Sequence, residues 1–208
     1  MLAILWPLAD GESFLEGYLV GNPKRVGILA LQGAVEPHKA HLLALGCEVV
    51  EVRTRDQLER ADFGGLILPG GESSTMLRLL NIFDMKDALS AYAATHPVWG
   101  VCAGSILMAT HVENPNQESF ALIDFDVRRN AYGRQLDSFT CEIAGMREAP
   151  FIRAPQFKRV GADVKVLACL GDEAVWVDQG QHMATSFHPE LAWEKPSPVH
   201  RAFVEKIK

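Results

Sequence analysis

Cysteine is scarce in this chain, basic residues are outnumbered, and no apolar run approaches the length needed to cross a bilayer. The four cysteines, at 47, 102, 141 and 169, form no Cys-x-x-Cys pair and share no ligand spacing with histidine, so no structural metal is expected. They fall in apolar, strand-like stretches, for which a reducing, cytoplasmic compartment is expected. Twenty Lys and Arg against 26 Asp and Glu leave a formal net charge of −6, and no basic cluster exceeds Arg128-Arg129 or Lys158-Arg159. Neither nucleic acid nor a membrane surface is an expected partner of such a composition. Residues 1–9 are apolar, but no basic segment precedes them and Asp10, Glu12 and Glu16 follow, which is the wrong shape for a signal peptide. Residues 1–24 are read as an N-terminal extension with no assigned function. Residues 25–208 are read as one domain, since no repeat, low-complexity tract or linker divides them.

From Arg25 onward the pattern is regular. Val26–Leu31 is a continuous apolar run ended by Gln32-Gly33, the signature of a buried parallel strand. Val35–Leu45 has apolar residues at helical spacing and stops at Gly46. Strands are predicted over Cys47–Val52, Gly65–Leu68 and 98–102, and helices over Thr75–Leu80, Met85–Ala94 and from Ser105 to about Thr110. Strands alternating with helices predict a mostly parallel sheet covered on both faces. After Asn114-Pro115-Asn116 the texture changes to short strand candidates: Phe120–Arg128, Ser138–Ile143, Phe151–Phe157, Val164–Leu170, Ala174–Val177 and Met183–Phe187. Hairpins suit this half better than helical crossovers. An amphipathic helix over 199–207 closes the chain.

One stretch organises the rest. The run Pro97-Val98-Trp99-Gly100-Val101-Cys102-Ala103-Gly104-Ser105 places a cysteine between two glycines where a strand turns into a helix. This is the pattern of a nucleophile elbow, with sulfur in place of a serine oxygen. The glycines leave room for a turn residue held in a strained conformation, its side chain projecting above the sheet, and the helix N-terminus beneath it favours a thiolate. Read alone, the same five residues also fit a buried cysteine in an ordinary strand-to-helix connection.

Ligands of open α/β sheets sit beyond the carboxyl ends of the strands, so the loops Gln32-Gly33-Ala34 and Pro69–Ser74 are expected to meet Cys102 there. Pro69-Gly70-Gly71-Glu72-Ser73 has adjacent glycines and opens a helix, which offers backbone N–H groups to an oxyanion or carboxylate. It fits equally a tight turn capped by Ser73 or Ser74. Near the C-terminus, Thr185-Ser186-Phe187-His188-Pro189-Glu190 supplies a base and a carboxylate two residues on. A thiol nucleophile needs a base that takes its proton and returns it to a leaving amine, and that base needs an orienting acceptor. Cys102, His188 and Glu190 would make such a triad. His38, His41, His96, His111, His182 and His200 fall on helix faces, loops or strand edges and receive no role.

With these residues in view the chain resembles the class I, triad-type glutamine amidotransferases. Within them it is similar to the glutaminase subunits of pyridoxal 5′-phosphate synthase, the SNO/PdxT family, from about Val26 to Ile207. Pro69-Gly70-Gly71, Gly100-x-Cys102-x-Gly104 and His188-Pro189-Glu190 are general to the superfamily. Leu31-Gln32-Gly33-Ala34, Gly70–Ser73, Arg129–Gln135 with Asp137-Ser138-Phe139, Phe151-Ile152-Arg153-Ala154-Pro155 and Gln179-Gly180-Gln181 are closer to this family. The resemblance implies a single-domain, flavodoxin-like fold with antiparallel strands in the C-terminal half. It also implies hydrolysis of L-glutamine through a Cys102 thioester, with His188 as acid and base and Glu190 holding the imidazole. Gly71, Glu72, Ser73, Arg129, Ile152 and Arg153 then correspond to the glutamine-binding positions. Backbone groups of Gly70, Gly71 and Ala103 would form the oxyanion hole. Gln32, Gly33 and Ala34 would face a synthase partner, a (β/α)₈ barrel that receives the ammonia. No cofactor is implied. The chain departs from the family pattern at Gln156, at Val101, at His182–Thr185 and in a shortened lead-in to Phe151.

The alternatives are a glutaminase of another synthase, a cysteine peptidase or deglycase sharing the elbow, and a regulatory subunit without catalysis. The Arg129–Gln135 and Ile152–Pro155 motifs speak against the first. His-Pro-Glu near the chain end speaks against the second, and the presence of all three triad residues against the third.

Overall fold

The apolar runs of the first half become strands because they bury both faces at once. The computed structural model describes residues 22–129, 131, 138–143 and 145–208. Residues 1–21 of the expected extension, and Asn130 and Tyr132–Asp137 of the Arg129–Gln135 and Asp137–Phe139 motifs, lie outside the described residues.

In chain order the main sheet is built from β1 (Arg25–Leu29), β2 (Glu48–Val52), β3 (Gly65–Leu68), β4 (Val98–Val101), β10 (Lys165–Leu170), β11 (Glu173–Gln179) and β12 (His182–Thr185). Its order is β10-β11-β12-β4-β3-β1-β2. The pairs β1/β2, β1/β3, β3/β4 and β4/β12 are parallel, and β10 and β11 add antiparallel ribbons at one edge. The parallel part therefore runs second, first, third, fourth, fifth, the flavodoxin-like order, with the reversal at β1 and β3.

Helices cover both faces. On one lie α1 (Val35–Ala44) and α6 (Pro198–Lys206), whose Leu42, Val199 and Phe203 pack with Val26, Ile28, Ile67 and Trp99. On the other lie α2 (Arg55–Arg60), α3 (Ser73–Ile82), α4 (Lys86–Thr95) and α5 (Ala103–Met108), packed on Leu29, Leu66, Leu68 and Val98. Alternate residues of one strand feed opposite cores, as the two-residue period of a strand requires.

A three-stranded sheet of β5 (His111–Glu113), β6 (Phe125–Arg128) and β9 (Gln156–Val160), and a hairpin of β7 (Phe139–Ile143) and β8 (Met146–Phe151), complete the C-terminal half. The strand predicted over Phe151–Phe157 is two strands in the structure. Arg153 takes φ +45°, a left-handed conformation that ends the extended run after β8, and Pro155 precedes β9. The predicted strand over Phe120–Arg128 is ordered as a strand only from Phe125, Ala121 having φ +50°.

Candidate active site

Cys102 joins β4 to α5 with φ +47° and ψ −100°, well outside the regions an L-residue favours. Such strain costs about 1–3 kcal/mol and persists where surrounding contacts over-determine it. Those contacts are specific. The Cys102 N–H donates to Thr185 O at 2.8 Å, and its carbonyl accepts from Ser105 Oγ at 2.7 Å and from Ile106 N at 3.3 Å. Both glycines of the elbow are required by space. A Cβ at Gly100 would stand 2.6 Å from Met108 Sδ and 2.7 Å from the Gly104 backbone, and one at Gly104 would stand 2.0 Å from Leu68 O. The thiol is 6% exposed and lies 3.9 Å from Ile152 O, which accepts its hydrogen.

His188 leaves the end of β12, tied by its N–H to Pro150 O at 2.8 Å, and a 3₁₀ turn over Pro189–Leu191 follows at once. The turn folds Glu190 back so that Oε1 meets His188 Nδ1 at 2.7 Å. Burial alone would lower the His188 basicity, but contact with Cys102 on one side and Glu190 on the other raises it well above an ordinary histidine. Glu190 is 2% exposed. Burial pushes its carboxyl up, yet the hydrogen bond from His188 and the nearby His38 and His188 charges hold it below the usual range.

A cleft of about 580 Å³ opens over these groups at the carboxyl ends of β1, β3 and β4. Gln32, Gly33, Ala34, Gly70, Gly71, Glu72, Ser73, Cys102, Ala103, Arg129, Ile152, Arg153 and His188 all line it, together with Ile106 and Leu191, which sequence reasoning did not single out. Of the predicted site residues only Glu190 is absent from the lining, because it stands behind His188.

The loops around the cleft hold one another. Gln32 Nε2 donates to Glu72 O at 3.3 Å while its Oε1 accepts from Glu72 N at 3.4 Å, and Ala34 N donates to Gly70 O at 2.9 Å. Gly33, at φ +101°, has no space for a side chain, since a Cβ would lie 2.1 Å from Gly70 O. The Gly70 carbonyl thus faces residues 32–34, and in a trans peptide the Gly71 N–H points the opposite way. Gly70 itself lies under the His188 ring, where a Cβ would be 2.5 Å from Cε1.

At the far rim Glu72, not a serine, caps α3. Its oxygens accept from the N–H and hydroxyl of Ser74 (3.2 and 2.7 Å) and of Thr75 (2.7 Å each), and from Arg129 Nη2 at 3.0 Å. Despite partial burial, these donors from Ser74 and Thr75 lower its pKa to about 2. Arg129 also reaches Ser74 Oγ at 3.4 Å, and its side chain is 11% exposed. The Ser73 hydroxyl donates to Gln117 Oε1 at 3.0 Å. A guanidinium, backbone N–H groups and a histidine-coupled thiol in one cleft can bind an amino acid by its carboxylate and attack an amide or ester at its other end.

Sequence reasoning missed the histidines behind Glu190. His38, His41 and His200 are fully buried together between α1 and α6. A usable signal was present, because His38 and His41 stand three apart on the face of α1 that also carries Leu42.

Residues 28–208 match the SNO glutamine amidotransferase family. Over 195 residues the chain is 45% identical to a protein of Solibacter usitatus named pyridoxal 5′-phosphate synthase subunit PdxT, covering 88% of this chain and all of the relative. It is 44% identical over 190 residues to the protein of that name from Halalkalibacterium halodurans, covering 88% of this chain and 95% of the relative. A crystal structure described as a glutamine amidotransferase superposes with a TM-score of 0.79 at 41% identity, over 87% of this chain and 97% of that one.

Proposed function

The chain belongs to the SNO glutamine amidotransferase family, and we propose that its reaction runs through Cys102, His188 and Glu190. It has the class I glutamine amidotransferase fold. It is a glutaminase that releases ammonia from L-glutamine for pyridoxal 5′-phosphate synthesis, and it works with a synthase partner. The observation that carries the residue assignment is the buried line from the strained Cys102 elbow through His188 to Glu190.

In this reading the Cys102 sulfur attacks the side-chain amide carbon while its proton passes to His188. The C–N bond breaks as His188 returns that proton to the departing ammonia, leaving a γ-glutamyl thioester. Water then enters, His188 takes its proton, and the C–S bond breaks to give L-glutamate and the thiol. Glu190 keeps the imidazole in the tautomer and orientation that both halves need. The backbone N–H of Ala103, with those of Gly70 and Gly71, stabilises the oxyanion. Arg129 receives the α-carboxylate, supported by its ion pair to Glu72. Gly71, Glu72 and Ser73 line the cleft beside it, as do Ile152 and Arg153, and these complete the glutamine site.

The partner is a (β/α)₈-barrel synthase subunit, and Gln32, Gly33 and Ala34 face it. Their grip on Gly70–Glu72 offers a route by which docking adjusts the oxyanion donors. Residues 25–208 form the glutaminase unit. Its four cysteines are all unpaired, which suits a cytoplasmic setting, and no helix among the described residues is long and apolar enough to cross a membrane.

The test is glutamate release from L-glutamine by the purified protein, alone and with the barrel subunit, beside Cys102→Ala. The expected result is strong activation by the partner, with at least about a thousandfold loss in the variant. Activity that the partner leaves unchanged would assign the glutaminase to another synthase, and residual full activity in Cys102→Ala would overturn the nucleophile.

A further inference from the structure

Glu190 is a buried carboxylate with one oxygen committed. Oε1 accepts from His188, while Oε2 is fully buried and has no hydrogen-bond partner among the described residues. An ionised oxygen left alone in the interior is costly, and a carboxylate pinned at one oxygen is poorly fixed in rotation. Behind it lies the histidine cluster, which contains a second buried polar atom without a partner among the described residues, His38 Nε2. His41 links the two groups: it bonds Glu190 O at 3.1 Å and stacks on His200, whose Nε2 meets His38 Nδ1 at 2.9 Å, and His38 and Glu190 each bear on the other's charge.

The remaining hydrogen bonds decide what that nitrogen carries. Ser197 N donates to His41 Nδ1 at 3.0 Å, so His41 is protonated on Nε2 and donates to Glu190 O at 3.1 Å. Ser197 Oγ accepts from His200 N at 3.3 Å and lies 2.7 Å from His200 Nδ1. With its hydroxyl donating to Nδ1, His200 carries its proton on Nε2 and donates to His38 Nδ1 at 2.9 Å. His38 is then protonated on Nε2, a buried donor without an acceptor among the described residues, in the cluster whose His41 bonds Glu190 O. The reverse order would leave a buried lone pair at Nε2 under the influence of the Glu190 charge, so Glu190 favours the first arrangement. Packing holds the rings in place: His41 stacks on His200 at 4.2 Å, and Trp99 meets His38 and His200 edge-on at 5.4 and 4.9 Å.

We propose that His38 is the second hydrogen-bond partner of the Glu190 carboxylate, donating from Nε2 to Oε2 as His188 gains the thiol proton, and that Ser197 and His200 set its tautomer. His38 and His200 are thereby positioning residues of the glutaminase. The inference rests on the triad reading of Cys102, His188 and Glu190. It assigns the orientation of the base to α1 and α6 as well as to the turn that carries Glu190.

The titratable groups bearing on Glu190 are His188 from its own turn and His38 and His41 from α1; His200 from α6 acts on His38 and His41, and exposed Lys195 on His41. Two isosteric variants separate a donor from a filler. His38→Gln places an amide N–H near Nε2, whereas His38→Asn retains only the Nδ1 position. With the barrel subunit present, His38→Asn is expected to lower kcat about 10- to 100-fold, less than removal of the residue that touches the base itself. KM for glutamine should stay within about twofold, and His38→Gln should recover most of the loss. In a Glu190→Gln background His38→Asn should add little, because the partner it serves is gone. Ser197→Ala, at the far end of the chain, should change kcat in the same direction.

Alkylation of Cys102 by iodoacetamide across pH 5 to 9 reads the same coupling without glutamine. Its midpoint should move in His38→Asn and return in His38→Gln. Equal losses in both His38 variants that merely follow their melting temperatures, or an alkylation profile that neither alters, would overturn the proposal and leave the cluster as core filling. A wild-type protein that releases no glutamate, yet shows the His38-dependent alkylation profile, would sink the glutaminase reading and keep the positioning role.

Discussion

At the scale of single residues, the site depends on one thiol whose surroundings fix both its backbone and its base. In the proposed reaction Glu190 acts by orientation, since it touches His188 Nδ1 and stands outside the cleft lining. Glu190→Gln keeps the volume but offers an amide that matches the imidazole in the wrong sense. The expectation is a loss in kcat of about 10²- to 10⁴-fold, with KM for glutamine little changed. Because the substitution also removes a buried charge, melting should shift by only a few degrees at about the 1 kcal/mol level. Steady-state kinetics and a thermal melt on the same preparation check both halves, and retention of full kcat would remove Glu190 from the triad. Cys102, His188 and Glu190 were legible as candidates because Gly100-x-Cys102-x-Gly104 and His188-Pro189-Glu190 are local patterns, and the structure brings the three side chains together. The role of Glu72 was only half legible. Its place in a cleft-lining loop was readable, but its capping of α3 and its hold on Arg129, 57 positions away, exist only in three dimensions.

At the scale of elements, what was readable depended on how much of each segment's environment is local. The buried parallel strands declare themselves as continuous apolar runs, and Gly65–Leu68 has the predicted bounds. The six-residue α2 did not, because Arg55-Asp56-Gln57-Leu58-Glu59-Arg60 buries a single residue and is held by a Thr54–Gln57 capping box. The break between β8 and β9 was hidden too, since the left-handed Arg153 at the bend carries no glycine to signal it. That bend and the loop at residues 32–34 make opposite demands on side chains. At Arg153 a non-glycine residue occupies a left-handed conformation, so Arg153→Gly should relieve backbone strain of about 1 kcal/mol while raising KM through loss of the side chain. At Gly33 the same logic runs in reverse. Gly33→Ala combines a positive φ with a 2.1 Å clash against Gly70 O, and either the loop or the Gly70 peptide must move. The protein should still melt cooperatively, with a stability loss of about 1–3 kcal/mol. Partner-activated glutamate release should fall much further than that loss explains. Activation equal to wild type would show that the 32–34 loop does not govern the Gly70–Glu72 backbone.

At the scale of the whole molecule, the histidines make stability depend on pH in a calculable sense. Burial, above all, holds His38 and His182 down to about 4, and lowers His41 and His200 as well. A group whose folded pKa lies below its unfolded value near 6.5 stabilises the fold fully above that value. The unfolded chain then takes up protons that the folded chain refuses, so the contribution is lost as pH falls from about 6.5 toward 4. For His38 alone the difference is on the order of 3 kcal/mol. His188 has the opposite sign, because its folded pKa is raised, and its contribution is present below about 6.5 and lost only as pH rises through its folded value. Four lowered histidines against one raised give a net loss on acidification. The four do not add, since His38, His41 and His200 repel one another's protons and respond as one coupled group. Glu72, held near 2, and the lowered Glu190 belong to a separate and more acidic window, stabilising above about 4.5 and failing as pH falls below it. Thermal melts in matched ionic strength should therefore fall between pH 7 and pH 4.5, before the carboxylates are titrated. His182→Gln should flatten part of that slope by removing the one lowered histidine outside the cluster. A melting temperature constant across that interval would mean that the histidine cluster accepts protons in the folded state, and that the core between α1 and α6 is open to water.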